Sequence, residues 1–321
     1  MVTFLLRRLL VSLLVLCVFS LLSFSFFASK FQPLKGHPVL PAYWRWLRGV
    51  PSGHSLTHGL GGPILPATLA ALGHTLVLLG FTLVLVVAFS VALATVAAAS
   101  RGSRLDLSLR GVSYLAWGIP AFLLGLIVQE AVNAIGSGHG LGPFPIAGWP
   151  GSCPAGIGIN AGTISPCAPA GSGGIYLLNV LRYTTLPACA LAVGFVGVHS
   201  RYLRSALAVA LDSPYATTAR AKGLPEHRVV LRHALRASLA TFVAALLTDF
   251  GAIFGAAMAI DWIFHYGGLG SLFIRELDPN VPFLDAYAVQ LLLLVTGALL
   301  IGCSLLSELA VALLDPRARV D

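Results

Sequence analysis

Apolar residues in this chain gather into six long runs, at about Leu9 to Ala28, Leu72 to Ala99, Val112 to Ile135, Val180 to Val198, Leu239 to Ile260 and Ala286 to Leu314. A bilayer core is crossed by about 20 consecutive helical residues, so each run is long enough to span it, the longer ones with tilt. The pattern predicts an all-α membrane protein of about six transmembrane helices. The first run follows Arg7 and Arg8 as a signal peptide would. It is too long for a signal core, and Phe26 and Ala28 make a poor cleavage site, so it reads as a retained span.

Between the runs lie connections at 29–71, 100–111, 136–179, 199–238 and 261–285. The chain divides accordingly into an N-terminal helix with an external segment, 1–71, and a five-helix core, 72–316, with an external loop at 136–179 and an inward loop at 199–238. Basic residues are shared unevenly. Arg7, Arg8, Arg101, Arg104, Arg110, Arg201, Arg204, Arg220, Lys222, Arg228, Arg232, Arg236, Arg317 and Arg319 fall on one side, 14 of the 20 Lys and Arg. By the positive-inside rule that side is cytoplasmic, as are both termini.

Composition adds little beyond this. Hydrophobic residues make up 57% and charged residues 10%, against roughly 25% charged in soluble domains. The net charge of +8 is explained by the basic inner loops, so nucleic acid is not implied. The loop 136–179 is rich in Gly and Pro without Lys, Arg, Asp or Glu, and reads as an irregular cap. It carries Cys153 and Cys167, for which a disulfide and two unpaired thiols both stay open. No Gly-Lys dipeptide occurs, so the phosphate-binding GxxxxGK[ST] loop is absent. If ATP drives this protein, another chain binds it.

The most informative segment is Leu211 to Arg236. Ser213 suits an N-cap, Pro214 the first helical position and Gly223 the left-handed residue after a helix. A short helix over Pro214 to Lys222 is predicted, with Arg220 and Lys222 in the last turn, where cations meet the negative end of the helix dipole. Pro225 opens a second helix carrying Arg228, Arg232 and Arg236 at four-residue intervals. By itself this segment fits either a rigid projection that transmits force or an amphipathic helix resting on lipid headgroups.

Tyr215-Ala-Thr-Thr-Ala-Arg-Ala-Lys-Gly-Leu224, followed by Arg232-His-Ala-Leu-Arg236, closely resembles the EAA loop of ABC importer permeases, in the version of the dipeptide and oligopeptide group. Phe4-Leu-Leu-Arg-Arg-Leu9, His74-Thr75, Gly118-Ile-Pro-Ala-Phe-Leu-Leu-Gly125, Gly267-Gly-Leu-Gly270 and Leu314-Asp-Pro-Arg317 resemble the same family in the same order. Thr217 stands where the general motif has Glu, and Arg236 replaces its terminal Pro. The resemblance implies the type I (MetI-like) importer fold and a non-catalytic permease subunit in a bacterial cytoplasmic membrane. It implies a coupling helix at 214–222 that docks into a cytoplasmic ATPase through Tyr215, Thr217, Thr218, Ala219, Arg220, Lys222, Gly223 and Leu224. The implied partners are a second homologous permease, two ATPase subunits that hold ATP and Mg, an extracytoplasmic substrate-binding protein and a peptide cargo. No cofactor is expected on this chain.

Glu130 and Asp249 interrupt apparent spans, where a charge costs about 2.5–3.5 kcal/mol on insertion scales unless it faces water or a partner. They are candidates for the translocation path, and a proton-coupled secondary transporter built on them is the rival reading. His54 and His58 lack the further ligands of a metal site. Ser137 and Ser172 lie in Gly-rich surroundings like those of a GxSG nucleophile, but Ile135 and Ala170 occupy the place of its first Gly, which disfavours an intramembrane hydrolase.

Overall fold

The computed structural model describes residues 2–30, 38–50, 64–135, 145, 147–150, 173–277 and 286–314. Among them the ordered elements are helical: α1 (Val2–Lys30), α2 (Val39–Gly49), α3 (Ile64–Ala99), α4 (Arg104–Gly118), α5 (Ala121–Ile135), α6 (Gly174–Leu211), α7 (Pro214–Ala221), α8 (Glu226–Arg228), a π-helical turn (Val229–Ala234), α9 (Leu235–Thr248), α10 (Phe250–Ile263), α11 (Leu269–Glu276) and α12 (Ala286–Leu314). Among the described residues five helices are long and apolar enough to cross a membrane, and α4 with α5 makes a sixth crossing if the bent pair is counted as one. Large apolar side chains point outward along them, including Leu14, Leu22, Val84 and Val209. That is the inverse of a water-soluble surface and suits contact with lipid tails.

Two of the predicted spans differ from expectation for reasons visible in the chain. The third run is not one helix. Pro120 has no N–H to donate and disfavours the helical region for Ile119 before it. Ile119 is extended (φ −96°, ψ 120°), and α4 and α5 meet at 93°. The fifth run divides at Asp249, which ends α9 and begins α10 (φ −83°, ψ 0°). Upstream of α9 the stretch expected as an α-helix from Pro225 becomes a π turn over Val229–Ala234. Arg228, Arg232 and Arg236 nonetheless all remain exposed.

The chain packs as two compact units, one formed by Met1–Thr75 and Gly267–Leu309, the other by Leu76–Tyr266 and Ala310–Asp321. In the first unit, α12 lies against α1. A Cβ added to Gly297 would come 3.2 Å from Leu16. Gln290 donates to the Ser20 carbonyl at 2.9 Å, and Arg8 pairs with Glu308 at 3.1 Å. The amphipathic α2, in the external segment for which no helix was predicted, turns Tyr43 and Trp46 onto Phe24 and leaves Leu40 and Trp44 exposed. Two separated stretches of family resemblance also meet here: the Gly267 carbonyl sits 2.9 Å from His74 Nδ1, and the Leu269 N–H donates to Thr75 Oγ1 at 2.9 Å.

The spine of the second unit is α6, with 38 residues, about 57 Å at 1.5 Å per residue. α4, α5, α9 and α10 pack along it. The approach of α4 is closest at Gly197, where an added Cβ would lie 2.6 Å from the Ser113 carbonyl oxygen and 3.2 Å from the Trp117 nitrogen. Those neighbours are backbone and cannot rotate away. Near the far end of α10, Thr184 Oγ1 and Tyr266 Oη share a 2.6 Å hydrogen bond, Trp149 meets Tyr266 edge-on, and Gln129 donates to the Ile263 carbonyl at 2.9 Å.

Gly197→Ala is therefore expected to lower stability by about 1–3 kcal/mol, the usual effect of overpacking, whereas Gly80→Ala, with no atom within 4 Å of the new methyl, should be near neutral or better. Thermal unfolding of the two purified variants in the same detergent checks the contrast, and equal melting temperatures would contradict the close α4–α6 approach.

Candidate functional site

The site is the stretch that joins the end of α6 to α9. Pro214 opens α7 as expected. Ser213 adopts the extended N-cap backbone, and its carbonyl accepts from the Ala216 and Thr217 N–H groups. Its side chain does not cap the helix as the sequence suggested. The hydroxyl instead donates back to the Ala210 carbonyl at the end of α6. The effect is to close the α6–α7 corner rather than to satisfy the first turn of α7.

The other end of α7 closes as the sequence predicts. Gly223 has φ +76°, a left-handed conformation that is strained for side chains bearing a Cβ. The Leu224 N–H reaches the Ala219 carbonyl at 3.3 Å and the Gly223 N–H the Arg220 carbonyl at 2.9 Å. This pair of bonds is a Schellman closure, and Leu224 supplies its apolar contact against the same core as Ala219.

An eight-residue helix is too short to be stable in water alone, and the inward face of α7 supplies what is missing. Ala216 and Ala219 are buried among Ala94, Ala98, Leu203, Leu207, Leu211, Val229, Val230 and Phe242. Their small side chains let the helix lie close to α6. Ala219, expected among the outward contact residues, thus fastens α7 to its own chain. Arg220 is also committed internally: Nε and Nη2 form a fork on Glu226 at 3.0 and 2.7 Å, and Nη1 donates to the Leu211 carbonyl at 3.0 Å. The Glu226 carboxylate raises the Arg220 pKa further above its usual range. The pair is largely solvent-exposed, so its value lies in geometry more than in energy.

What α7 leaves facing outward is Tyr215, Thr217, Thr218 and Lys222. The two threonine hydroxyls are turned back onto the Ser213 and Pro214 carbonyls, at 3.3 and 2.9 Å. Among the described residues, Lys222 makes no ion pair and the Tyr215 hydroxyl no hydrogen bond. Tyr215, Thr218 and Lys222, at spacings of three and four, share one flank of the helix.

Of the two carboxylates expected on the translocation path, Glu130 is exposed on α5 and makes no ion pair among the described residues. Asp249, at the α9–α10 joint, lies 3.7 Å from Nε2 of a fully buried His199. His199 was expected at the start of the inward loop. It is instead enclosed within α6, edge-on to Tyr202 and Phe242. The sequence holds no hint of that neighbour, which is fifty positions from Asp249. Another buried charge was missed altogether: Asp106, 1% exposed, takes a fork of two 2.8 Å bonds from Arg204. Its local signal was Ser103-Arg-Leu-Asp106, the spacing of a capping box, and Ser103 does accept the Asp106 N–H at 3.2 Å. Cys153, Cys167, His54, His58, Ser137 and Ser172 lie outside the described residues. No group of three or more His, Cys, Asp or Glu able to hold a metal occurs among the described residues.

A bent membrane crossing, a long spine helix and a short helix pinned to its end define a transport permease core. Residues 90–320 match the family of binding-protein-dependent transport system inner membrane components. The chain belongs to that family and has its type I, MetI-like permease fold. It is similar to a protein of Brucella suis biovar 1 described as a peptide permease, with 29% identity over 88% of this chain and 81% of the relative. It is also similar to the oligopeptide transport system permease protein AppB of Bacillus subtilis, with 26% identity over 87% and 80%. The oligopeptide transport system permease protein OppB of Mycobacterium tuberculosis matches at 31% identity over 48% and 47%.

Because an added Cβ at Gly223 meets no atom within 4 Å, substitution there is opposed by backbone strain alone, about 1–2 kcal/mol. Gly223→Ala is expected to speed hydrogen exchange at the α7 amides about tenfold, and Gly223→Asn by much less, since Asn tolerates this conformation. Equal protection in Gly223→Ala and the parent would contradict the assigned closure.

Proposed function

We propose that this chain is the channel-forming permease subunit of an ATP-driven importer of peptides, with α7 as the coupling helix that receives a cytoplasmic ATPase. The observation that carries the reading is α7 itself. One face is buried under its own α6 and α9, the far end is closed at Gly223, and the opposite face presents a short amphipathic surface made of Tyr215, Thr217, Thr218 and Lys222. A helix adapted only to lipid headgroups would put its apolar face outward. Here that face is turned inward, and the outward face is polar with one aromatic ring. Such a surface suits a protein cleft, in which Tyr215 is the anchor and Lys222 meets a carboxylate.

The peptide cargo is supported by the names of the relatives, which include a peptide permease and two oligopeptide transport permeases. In this reading the chain lies in a bacterial cytoplasmic membrane with both termini and α7 inside. A second permease completes the pore, two ATPase subunits hold ATP and Mg, and an extracytoplasmic binding protein delivers the cargo. Coupling requires that α7 bind the ATPases differently in their open and closed states, since equal affinity shifts no equilibrium. Glu130 and Asp249 are assigned to the path, where a carboxylate suits a peptide's amino group.

The test is a reconstituted importer in vesicles. Tyr215→Ala and Lys222→Glu together should cut ATP-dependent peptide uptake and ATPase retention on the permease by about tenfold or more, the usual effect of removing an interface anchor. Uptake by the parent chain on a pH gradient without any ATPase would overturn the reading. Glu130→Gln should lower uptake while leaving ATPase retention at the parent level.

A further inference from the structure

Whatever α7 receives must be passed to the helices that form the crossing, and α7 itself touches only part of them. The bent pair α4–α5 is the element whose geometry departs most from a simple span, at 93°. Its first turn is held by a group the proposed coupling surface does not use. Asp106 is 1% exposed. One carboxylate oxygen accepts from Arg204 Nε at 2.8 Å. The other accepts from Arg204 Nη2 at 2.8 Å and from the Gly102 N–H at 3.2 Å, and lies 3.5 Å from Arg110 Nη2.

Arg204 belongs to the last two turns of α6, the stretch that ends at Leu211 and carries α7. Two further arginines brace the same corner. Arg101, just before α4, donates from Nη1 to both carboxylate oxygens of Asp212 just after α6, at 3.0 and 3.1 Å. Arg220 of α7 donates to the Leu211 carbonyl. Beyond Asp106, α4 stays in register with α6 through the Ser113–Ser200 hydroxyl contact at 3.3 Å, the stacking of Arg201 on Tyr114 and Trp117, and the close approach at Gly197.

These contacts form one continuous path from α7 through the end of α6 into α4. The Asp106–Arg204 fork is the step in it best suited to transmit a displacement. A bidentate pair fixes direction as well as distance, and an enclosed carboxylate has no water to turn to when its partner moves. We infer that Asp106 is a positioning residue for transport: it pins the bent α4–α5 element to the α6 lever, so that movement imposed on α7 is delivered to the crossing. The inference rests on the coupling-helix reading of α7. It differs from a purely structural role in predicting loss of coupling rather than loss of assembly.

The experiment uses the complete importer, with its ATPases and binding protein, in vesicles. It compares peptide imported per ATP hydrolysed for the parent, Asp106→Asn, Arg204→Lys and the exchange Asp106→Arg with Arg204→Asp. Asp106→Asn should keep its ATPase subunits and hydrolyse ATP while importing about tenfold less peptide per ATP, within the usual range of coupling energies. Arg204→Lys, which keeps the charge but loses the fork, should show a smaller loss in the same ratio, and the exchange should recover part of it. An unchanged ratio in Asp106→Asn overturns the inference. If that variant fails to assemble, an unchanged ratio in Arg204→Lys overturns it instead. A parent chain that retains no ATPase subunits, or imports without ATP, would refute the coupling-helix reading itself, an outcome distinct from either.

Discussion

The burial of two alanines is the constraint on which the rest of this molecule turns. Ala216 and Ala219 are the main reason an eight-residue helix outside the long crossings can hold a fixed position. Larger residues there would lift α7 off α6, and polar ones would leave it in water, where so short a helix melts. Once those methyls are seated under Leu203 and Leu207, the closure at Gly223 fixes where the chain turns. The Arg220–Glu226 fork then fixes how α8 leaves. A displacement applied to α7 must then move the end of α6 as well.

The same logic of small residues and directed polar contacts recurs along α6. In lipid, helices gain little from hydrophobic contact alone, so close approach and interhelical hydrogen bonds carry much of the specificity. Gly197 admits the backbone of α4, and Ser113 and Ser200 meet beside it. Asp106 with Arg204 ends the contact on the α7 side. α6 is thereby both a membrane crossing and the strut that joins α7 to the bent pair.

Much of this was legible in the sequence, and the misses have physical causes. Apolar run lengths revealed the crossings because hydrophobic thickness is a one-dimensional constraint that needs no knowledge of partners. The break at Pro120 was written in the chain, yet apolar residues continue on both sides of it, so run length concealed it. α2 escaped notice because its eleven residues mix aromatic, basic and aliphatic positions whose sense depends on Phe24 being nearby. The α7 helix, its Pro214 start and its Gly223 end follow from local chemistry and were foreseen. The burial of Ala219 and the pairing of Arg220 with Glu226 were not, although Ala216 and Ala219 at a spacing of three were the available clue to the first. Asp106 with Arg204 and His199 with Asp249 are separated by 98 and 50 positions, and no local pattern brings such residues together. Family membership, established over residues 90–320, supports the transport role.

In the proposed importer the outward flank of α7 is a seat for a second protein. A density map of the assembled importer in a lipid disc tests it most directly. Tyr215 is expected to be enclosed by an ATPase subunit, with Lys222 within reach of one of its carboxylates and Ala219 still covered by α6. A map with α7 resting on headgroups, its Tyr215 flank touching no protein, would contradict it.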